Sequence, residues 1–161
     1  MARLVSICLP SLLAKCAFLG MLLLWSTGIV LAADPPLLLR VLSYNIHHGE
    51  GTDGQLKLDR IARIVRESQA DLVALQEVDR RVVRSSFRDQ ARIAAAATGL
   101  QAHFAPARSL GPFGRYGNAL LLPHGPAQVA VHRLDSIGEQ RCALFARARV
   151  DGVLATFVST H

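Results

Sequence analysis

Apolar positions along this chain change period several times, and each change predicts a different element. Residues 37–42 (Leu-Leu-Leu-Arg-Val-Leu) and 71–75 (Asp-Leu-Val-Ala-Leu) are short, nearly continuous apolar runs. That is the pattern of strands buried on both faces. Between them Leu58, Ile61, Ile64, Val65 and Ser68 recur at helical spacing, with Arg60, Arg63 and Glu67 on the opposite side. A second helix is expected over residues 88–98, rich in alanine and stopped by Gly99. From residue 101 the pattern turns to strands, at 101–105, 116–122, 128–134, 142–150 and 153–160. Residues 49–54 and 108–115 read as loops, and Pro123-His124-Gly125-Pro126 divides two strands. Asp151-Gly152 between two β-rich runs is a two-residue hairpin signal. The order strand, helix, strand, helix, then meander predicts an α/β fold with a mixed sheet and two helices.

Residues 1–33 fit none of these patterns. Arg3 and Lys15 precede an uncharged, mostly apolar stretch that closes on Val30-Leu31-Ala32-Ala33. A basic start, an apolar centre and small residues at the end describe a secretory signal. The apolar centre is somewhat short of the ~20 residues that span a bilayer comfortably. Residues 1–33 are therefore expected to be a signal peptide, or an anchor if uncleaved, and residues 34–161 a single domain. The expectation is export, periplasmic or secreted in a bacterium, with membrane contact only through an uncleaved N-terminal segment.

Removing that segment changes the charge. Sixteen of the eighteen basic residues and all twelve acids lie beyond residue 33, a formal charge of +4. Lys57 is the only lysine among those sixteen. Arginine pairs bidentately with phosphate and carboxylate, so the balance suits an anionic partner, and it equally suits an arginine-rich surface. Cys142 is the one cysteine left, which excludes an internal disulfide and leaves stability to the core; it reads as a buried strand residue. The aromatic residues form no stripe on a basic face, which argues against a stacking nucleic-acid module, and nothing points to a stable protein partner.

Candidate chemistry gathers where the first two buried runs end. In open α/β sheets ligands collect at the carboxyl ends of strands. One run ends in Ser43-Tyr44-Asn45-Ile46-His47-His48-Gly49, the other in Leu75-Gln76-Glu77-Val78-Asp79. Glu77 suits Mg²⁺, which takes oxygen ligands from few carboxylates and keeps water; alternatively it is a solvated acid paired with Arg80 or Arg81. Asn45 offers an amide oxygen to a cation and an NH₂ group to a phosphate oxygen, or else forms a turn. His47 and His48 are adjacent, and adjacent residues on an extended segment point to opposite sides, so they are not expected to share a metal.

Together these strings resemble the endonuclease/exonuclease/phosphatase superfamily, the deoxyribonuclease-I-like metal-dependent phosphoesterases. The resemblance runs from about Leu39 to His161 and includes Ser43-Tyr44-Asn45-Ile46, the stretch from Asp71 through Leu75-Gln76-Glu77-Val78-Asp79, Tyr116-Gly117-Asn118-Ala119 and Ser159-Thr160-His161. It implies a four-layer α/β/β/α sandwich, of which this chain supplies the N-terminal part, about one sheet and its helices. One face of that sheet is then expected to lack a packing partner. The resemblance implies that Glu77 holds Mg²⁺ or Mn²⁺, that Asn45 orients metal and scissile phosphate, and that His161 contacts the phosphate. Arg115, Tyr116 and Asn118 are further candidates for phosphate contact. The substrate would be a phosphoester: nucleic acid, phospholipid or a small phosphodiester. Two departures bear on activity. The family's later Asp-x-Asn and Ser-Asp-His strings have no counterpart, and Leu121-Leu122-Pro123-His124 replaces the Ser-Arg that commonly follows the Gly-Asn-Ala strand. The alternative expectation is a non-catalytic exported fragment that binds only a metal or a phosphate ligand.

Overall fold

The structure, a computed structural model, describes residues 2–9 and 37–161. Five strands form one sheet in the order β1-β2-β3-β5-β4: β1 (Ala2–Leu9), β2 (Leu37–Asn45), β3 (Leu72–Arg80), β5 (Gly114–Leu122) and β4 (Gln101–Leu110). The sheet is mixed, with β2 and β3 parallel and the other neighbours antiparallel. The parallel pair is joined through α1 (Leu58–Glu67), the crossover that parallel strands require.

Helix α1 buries Leu58, Ile61 and Val65, while Ile64 lies at the rim. Helix α2 (Gln90–Ala96) is shorter than the periodicity predicts because Asp89 caps it, its side chain accepting from the Arg92 amide at 3.1 Å. Both helices cover one face of the sheet, where Ile61, Val65, Ala91, Ala94 and Ala95 pack on Leu42, Val73, Leu75, Ala119 and Leu121.

The meander departs from expectation. Strands β6 (Ala127–Leu134), β7 (Arg141–Val150) and β8 (Val153–Thr160) do not extend the first sheet; they form a second, antiparallel one. The break at Pro123–Pro126 lets the chain leave the first sheet and cross over it. The second sheet packs on the face opposite the helices. Leu72, Ala74, Ala105, Leu120 and Leu122 of the first sheet meet Cys142, Leu144, Ala146 and Ala148 of the second. The face expected to stand bare is therefore covered. Asp151 (φ 46°) and Gly152 (φ 80°) make the predicted tight turn between β7 and β8.

Strand β4 also differs, running through Pro106 into the stretch read as a loop. It is an edge strand and bulges between Pro106 and Arg108, the two circumstances in which a sheet accepts proline. Strand β1 falls within the segment read as an export leader. It pairs antiparallel with β2 over eight residues, from Ala2 against Tyr44 to Leu9 against Leu37. The rest of that segment, including its apolar centre, lies outside the described residues. Among the described residues no helix is long and apolar enough to cross a membrane.

Candidate functional site

The ends of β2 and β3 lie side by side, with Asn45 registered against Gln76. Two local features aim their side chains. The first is a bulge in β3. Leu75 pairs with Ala119 and Val78 with Gly117, so three steps along β3 match two along β5. Glu77 sits in that extra step with φ 58°, a left-handed conformation rare for a glutamate. Bulges beside functional sites re-aim side chains, and here the bulge also switches face parity: Val73, Leu75 and Val78 all belong to the helix-side core.

The second feature is the 3-10 turn His47–Gly49 that follows β2. His47 (φ 46°) and His48 (φ 44°) are both left-handed, so the alternation of an extended segment does not apply. Their rings lie on the same side, centroids 4.4 Å apart, correcting the expectation that they point apart. Gly49 (φ 87°) permits the turn, because a Cβ there would reach within 2.6 Å of Leu58 Cδ2. Non-glycine residues held this way cost about 1–3 kcal/mol each, so neighbours must fix them. Gln90 of α2 is one such neighbour. Almost wholly buried, it donates to the His48 carbonyl at 2.6 Å and accepts from the Asp79 amide at 2.8 Å, clamping the two strand ends together.

Three side chains predicted from sequence converge here. Asn45 Nδ2 donates to Glu77 Oε1 at 2.7 Å and lies 3.2 Å from His161 Nε2, although these residues are 32 and 116 positions from Asn45. His161 Nε2 stands 3.5 Å from Glu77 Oε1. Asn45 Oδ1 accepts from the His47 amide at 2.9 Å, which fixes the direction of its NH₂ group. Arg141 donates to His161 Nδ1, so the neutral ring carries its proton on Nε2, facing the carboxylate.

Burial works to raise the Glu77 carboxyl, but hydrogen bonds from Asn45 and Tyr116 and the nearby His161 and His47 outweigh it. The group is held below its ordinary range and stays ionised. Tyr116 shifts the other way, to about 12, through burial first and the Glu77 charge second. Two guanidinium groups lie over its ring, Arg84 at 5.5 Å and Arg108 at 5.2 Å from the centroid. Arg84 is itself held by a two-point bond to the fully buried Asp79, both contacts 2.9 Å.

The other two phosphate candidates sit differently. Asn118 is buried and commits its amide to the Cys142 carbonyl at 3.0 Å, tying β5 to the second sheet. Arg115 donates to the Gly114 carbonyl and lines a neighbouring cleft of about 330 Å³ with Arg108 and Arg133. Glu139 serves both Arg108 (3.8 Å) and Arg141 (3.4 Å), while Arg133 donates to the neutral Gln140 at 3.3 Å. Gly117 is needed between Tyr116 and Asn118, since a Cβ there would run into the Ala105 carbonyl and the Ala107 amide of β4.

Gln90, Arg84, Arg108 and Arg141 escaped the sequence reading, each lying outside the motifs. Only Gly49, directly after the two histidines, signals from sequence that the segment turns there.

His47, His48 and Glu77 present ligand atoms that all lie within 4.8 Å of one another, a donor set that suits a divalent ion.

Comparisons with known proteins bear on the family and the fold. A model of the Endonuclease/Exonuclease/phosphatase family matches residues 42–159. The chain is similar to the crystal structure of an endonuclease/exonuclease/phosphatase from Beutenbergia cavernae DSM 12333, with 26% identity and a TM-score of 0.64 over 76% of this chain and 38% of that one. It shares its fold with an endonuclease/exonuclease/phosphatase family protein from Leptotrichia buccalis C-1013-b, at 18% identity and a TM-score of 0.56 over 76% of this chain and 54% of that one. The chain thus spans between 38% and 54% of the length of these neighbours. No curated protein matches it. With the family's pattern covering most of its length, the chain belongs to the endonuclease/exonuclease/phosphatase family.

Proposed function

We propose that this protein is an exported, divalent-metal-dependent phosphodiesterase or nuclease-type hydrolase. The observation that carries the reading is the convergence of Asn45, Glu77 and His161 from three separate strand ends. Membership of the family adds the reaction class. The cofactor is Mg²⁺ or Mn²⁺, with Glu77 as its principal ligand: an ionised carboxylate at a strand end fits a hard cation. When bound, such an ion neutralises charge on a phosphoryl oxygen and so stabilises the transition state of in-line attack.

The chain's own groups divide the remaining work. Asn45 holds Glu77 in place through Nδ2, and the His47 amide in turn holds Asn45. His161, oriented by Arg141, presents Nε2–H toward a phosphate oxygen at the mouth of the site. The arginine-lined cleft beside Tyr116 offers a seat for further negative charge on a nucleic acid, a phospholipid or a small phosphodiester. Residues 1–33 act as the export signal, which a secretion-reporter fusion and the N-terminus of the exported protein would test.

The test of activity is hydrolysis of bis(p-nitrophenyl) phosphate by the full chain with Mg²⁺ or Mn²⁺. Turnover should vanish with a chelator and fall by ~10³-fold in kcat/KM for Glu77→Ala. Folded protein that shows no metal-dependent turnover would overturn this reading in favour of a module that only binds a metal or a phosphate.

A further inference from the structure

We infer that Arg84 is a catalytic residue of this site, its outward Nη1 edge gripping an oxygen of the phosphoryl group while the buried Asp79 holds its other edge. The inference rests on the proposed phosphoester chemistry for the reaction, and it adds a fixed cation to the groups at the strand ends.

The anchor lies inside the protein. Asp79 is fully buried on β3, two positions beyond Glu77, and is registered against Tyr116 of β5. Its backbone amide donates to Gln90, and its two carboxylate oxygens accept from Arg84 Nε and Nη2, each at 2.9 Å. Such two-point pairing sets the plane of the guanidinium as well as its position. The 3-10 turn Val83–Ser85 that carries Arg84 is pinned too: Ser85 is fully buried, and its hydroxyl donates to the Val82 carbonyl at 3.1 Å. An arginine on a free stem loses rotamer freedom when it grips a ligand, and Arg84 has already lost it in folding.

The opposite edge faces out. The Asp79 side chain has no exposure, whereas that of Arg84 is 40% exposed, and among the described residues Nη1 has no hydrogen-bond partner. The guanidinium lies over the Tyr116 ring, 5.5 Å from its centroid, and the Tyr116 hydroxyl reaches Glu77. One aromatic ring therefore connects the free edge to the candidate metal ligand. Bonds to Asp79 do most to raise Arg84 above its ordinary range, against burial, and the charges of Asp79 and Glu77 act in the same direction. Arg108, over the same ring, has no comparable anchor: Glu139 stands 3.8 Å away and is shared with Arg141.

The chemistry follows from the fixed charge. Guanidinium presents N–H donors in a planar fork that matches phosphate oxygens, keeps its proton, and needs no reorganisation once held. Arg84 binds a non-bridging oxygen and stabilises the negative charge that gathers there as water attacks. Lysine cannot replace it, because one ammonium cannot pair with Asp79 and present a second edge to phosphate.

The test is Arg84→Lys in the full chain, with Mg²⁺, bis(p-nitrophenyl) phosphate as substrate and inorganic phosphate as competing ligand. The variant keeps a cation beside Asp79, so circular dichroism and Mg²⁺ affinity should be unchanged. Its kcat/KM should fall ~10–100-fold, mostly in kcat, and inorganic phosphate should inhibit it more weakly. A folded variant with wild-type kinetics overturns the inference and leaves the phosphodiesterase reading standing. A fall in kcat/KM with phosphate inhibition unchanged overturns it as well, since the arginine would then act only through the fold. Should the variant not fold, the guanidinium ¹⁵N resonances of wild-type Arg84 decide. Inorganic phosphate must shift them at lower concentration than those of Arg92, which is 81% exposed and serves as the reference; an equal response overturns the inference. A selective shift at Arg84 in protein that hydrolyses nothing would keep the phosphate contact and remove the phosphodiesterase reading.

Discussion

Strands β5 and β6 are neighbours in sequence and opposites in burial. Along β5 every residue except Arg115 is buried; along β6 every residue after Ala127 is exposed. The cause is position. β5 lies inside the first sheet, with helices on one face and the second sheet on the other, whereas β6 is the edge of the second sheet. The chain assigns its candidate chemistry accordingly. Tyr116 and Asn118 hang on the doubly covered strand, and β6 contributes only Arg133 to the rim of the adjoining cleft. His161 follows β8, the other edge of the second sheet, so the site joins a firmly packed half to a lightly packed one.

The largest test of that contrast is Leu120→Ala on β5. Leu120 is fully buried between the sheets, and its truncation should cost about 2–5 kcal/mol in urea unfolding. A loss below about 1 kcal/mol would mean that β5 is not packed on both faces. A smaller effect is expected from pH. The Tyr116 phenol ionises near 12 in the folded protein against an ordinary 10.0, so folding favours its protonated form. Its contribution is complete below pH 10, declines from pH 10 to 12 and is gone above that. A tenfold change in an ionisation equilibrium corresponds to about 1.4 kcal/mol. Tyr44, the other tyrosine, is also raised by burial, so phenolate absorbance should show neither ionising at its ordinary pH. Tyr116→Phe should lose this part of the pH dependence of stability. The smallest effect belongs to β6: Val131→Thr on the exposed edge should change stability by no more than about 0.5 kcal/mol.

This contrast also explains what could be read from sequence. The uninterrupted apolar run at 72–75 identifies a strand covered on both faces, whereas the run at 37–42, read the same way, belongs to a strand that buries Leu39 and Leu42 and exposes Leu38 and Arg40; the Asp151-Gly152 turn is encoded in two residues. Asn45, Glu77 and His161 are legible because each ends a strand inside a distinctive string. What escaped reading depends on non-local events. That β6–β8 form a separate sheet follows from which surface they cover, and alternation along a strand is the same either way. The continuation of β4 past Pro106 depends on its being an edge, which only the strand order reveals. The mutual orientation of His47 and His48 turned on two positive φ values, and the extended reading failed for that reason. Gln90 and Arg84 act across the fold, on groups supplied by other elements, and their own neighbourhoods give no sign of it.

The left-handed Glu77 has a consequence for anyone who evolves or engineers this protein. At φ 58° a glutamate pays for its own backbone conformation, and asparagine or glycine would sit there with less strain. A screen that rewards heat resistance alone would therefore favour replacing the carboxylate on which the proposed chemistry depends. Gains in robustness at this position would come at the expense of the site, and a library selected for stability needs a second selection for turnover to retain it.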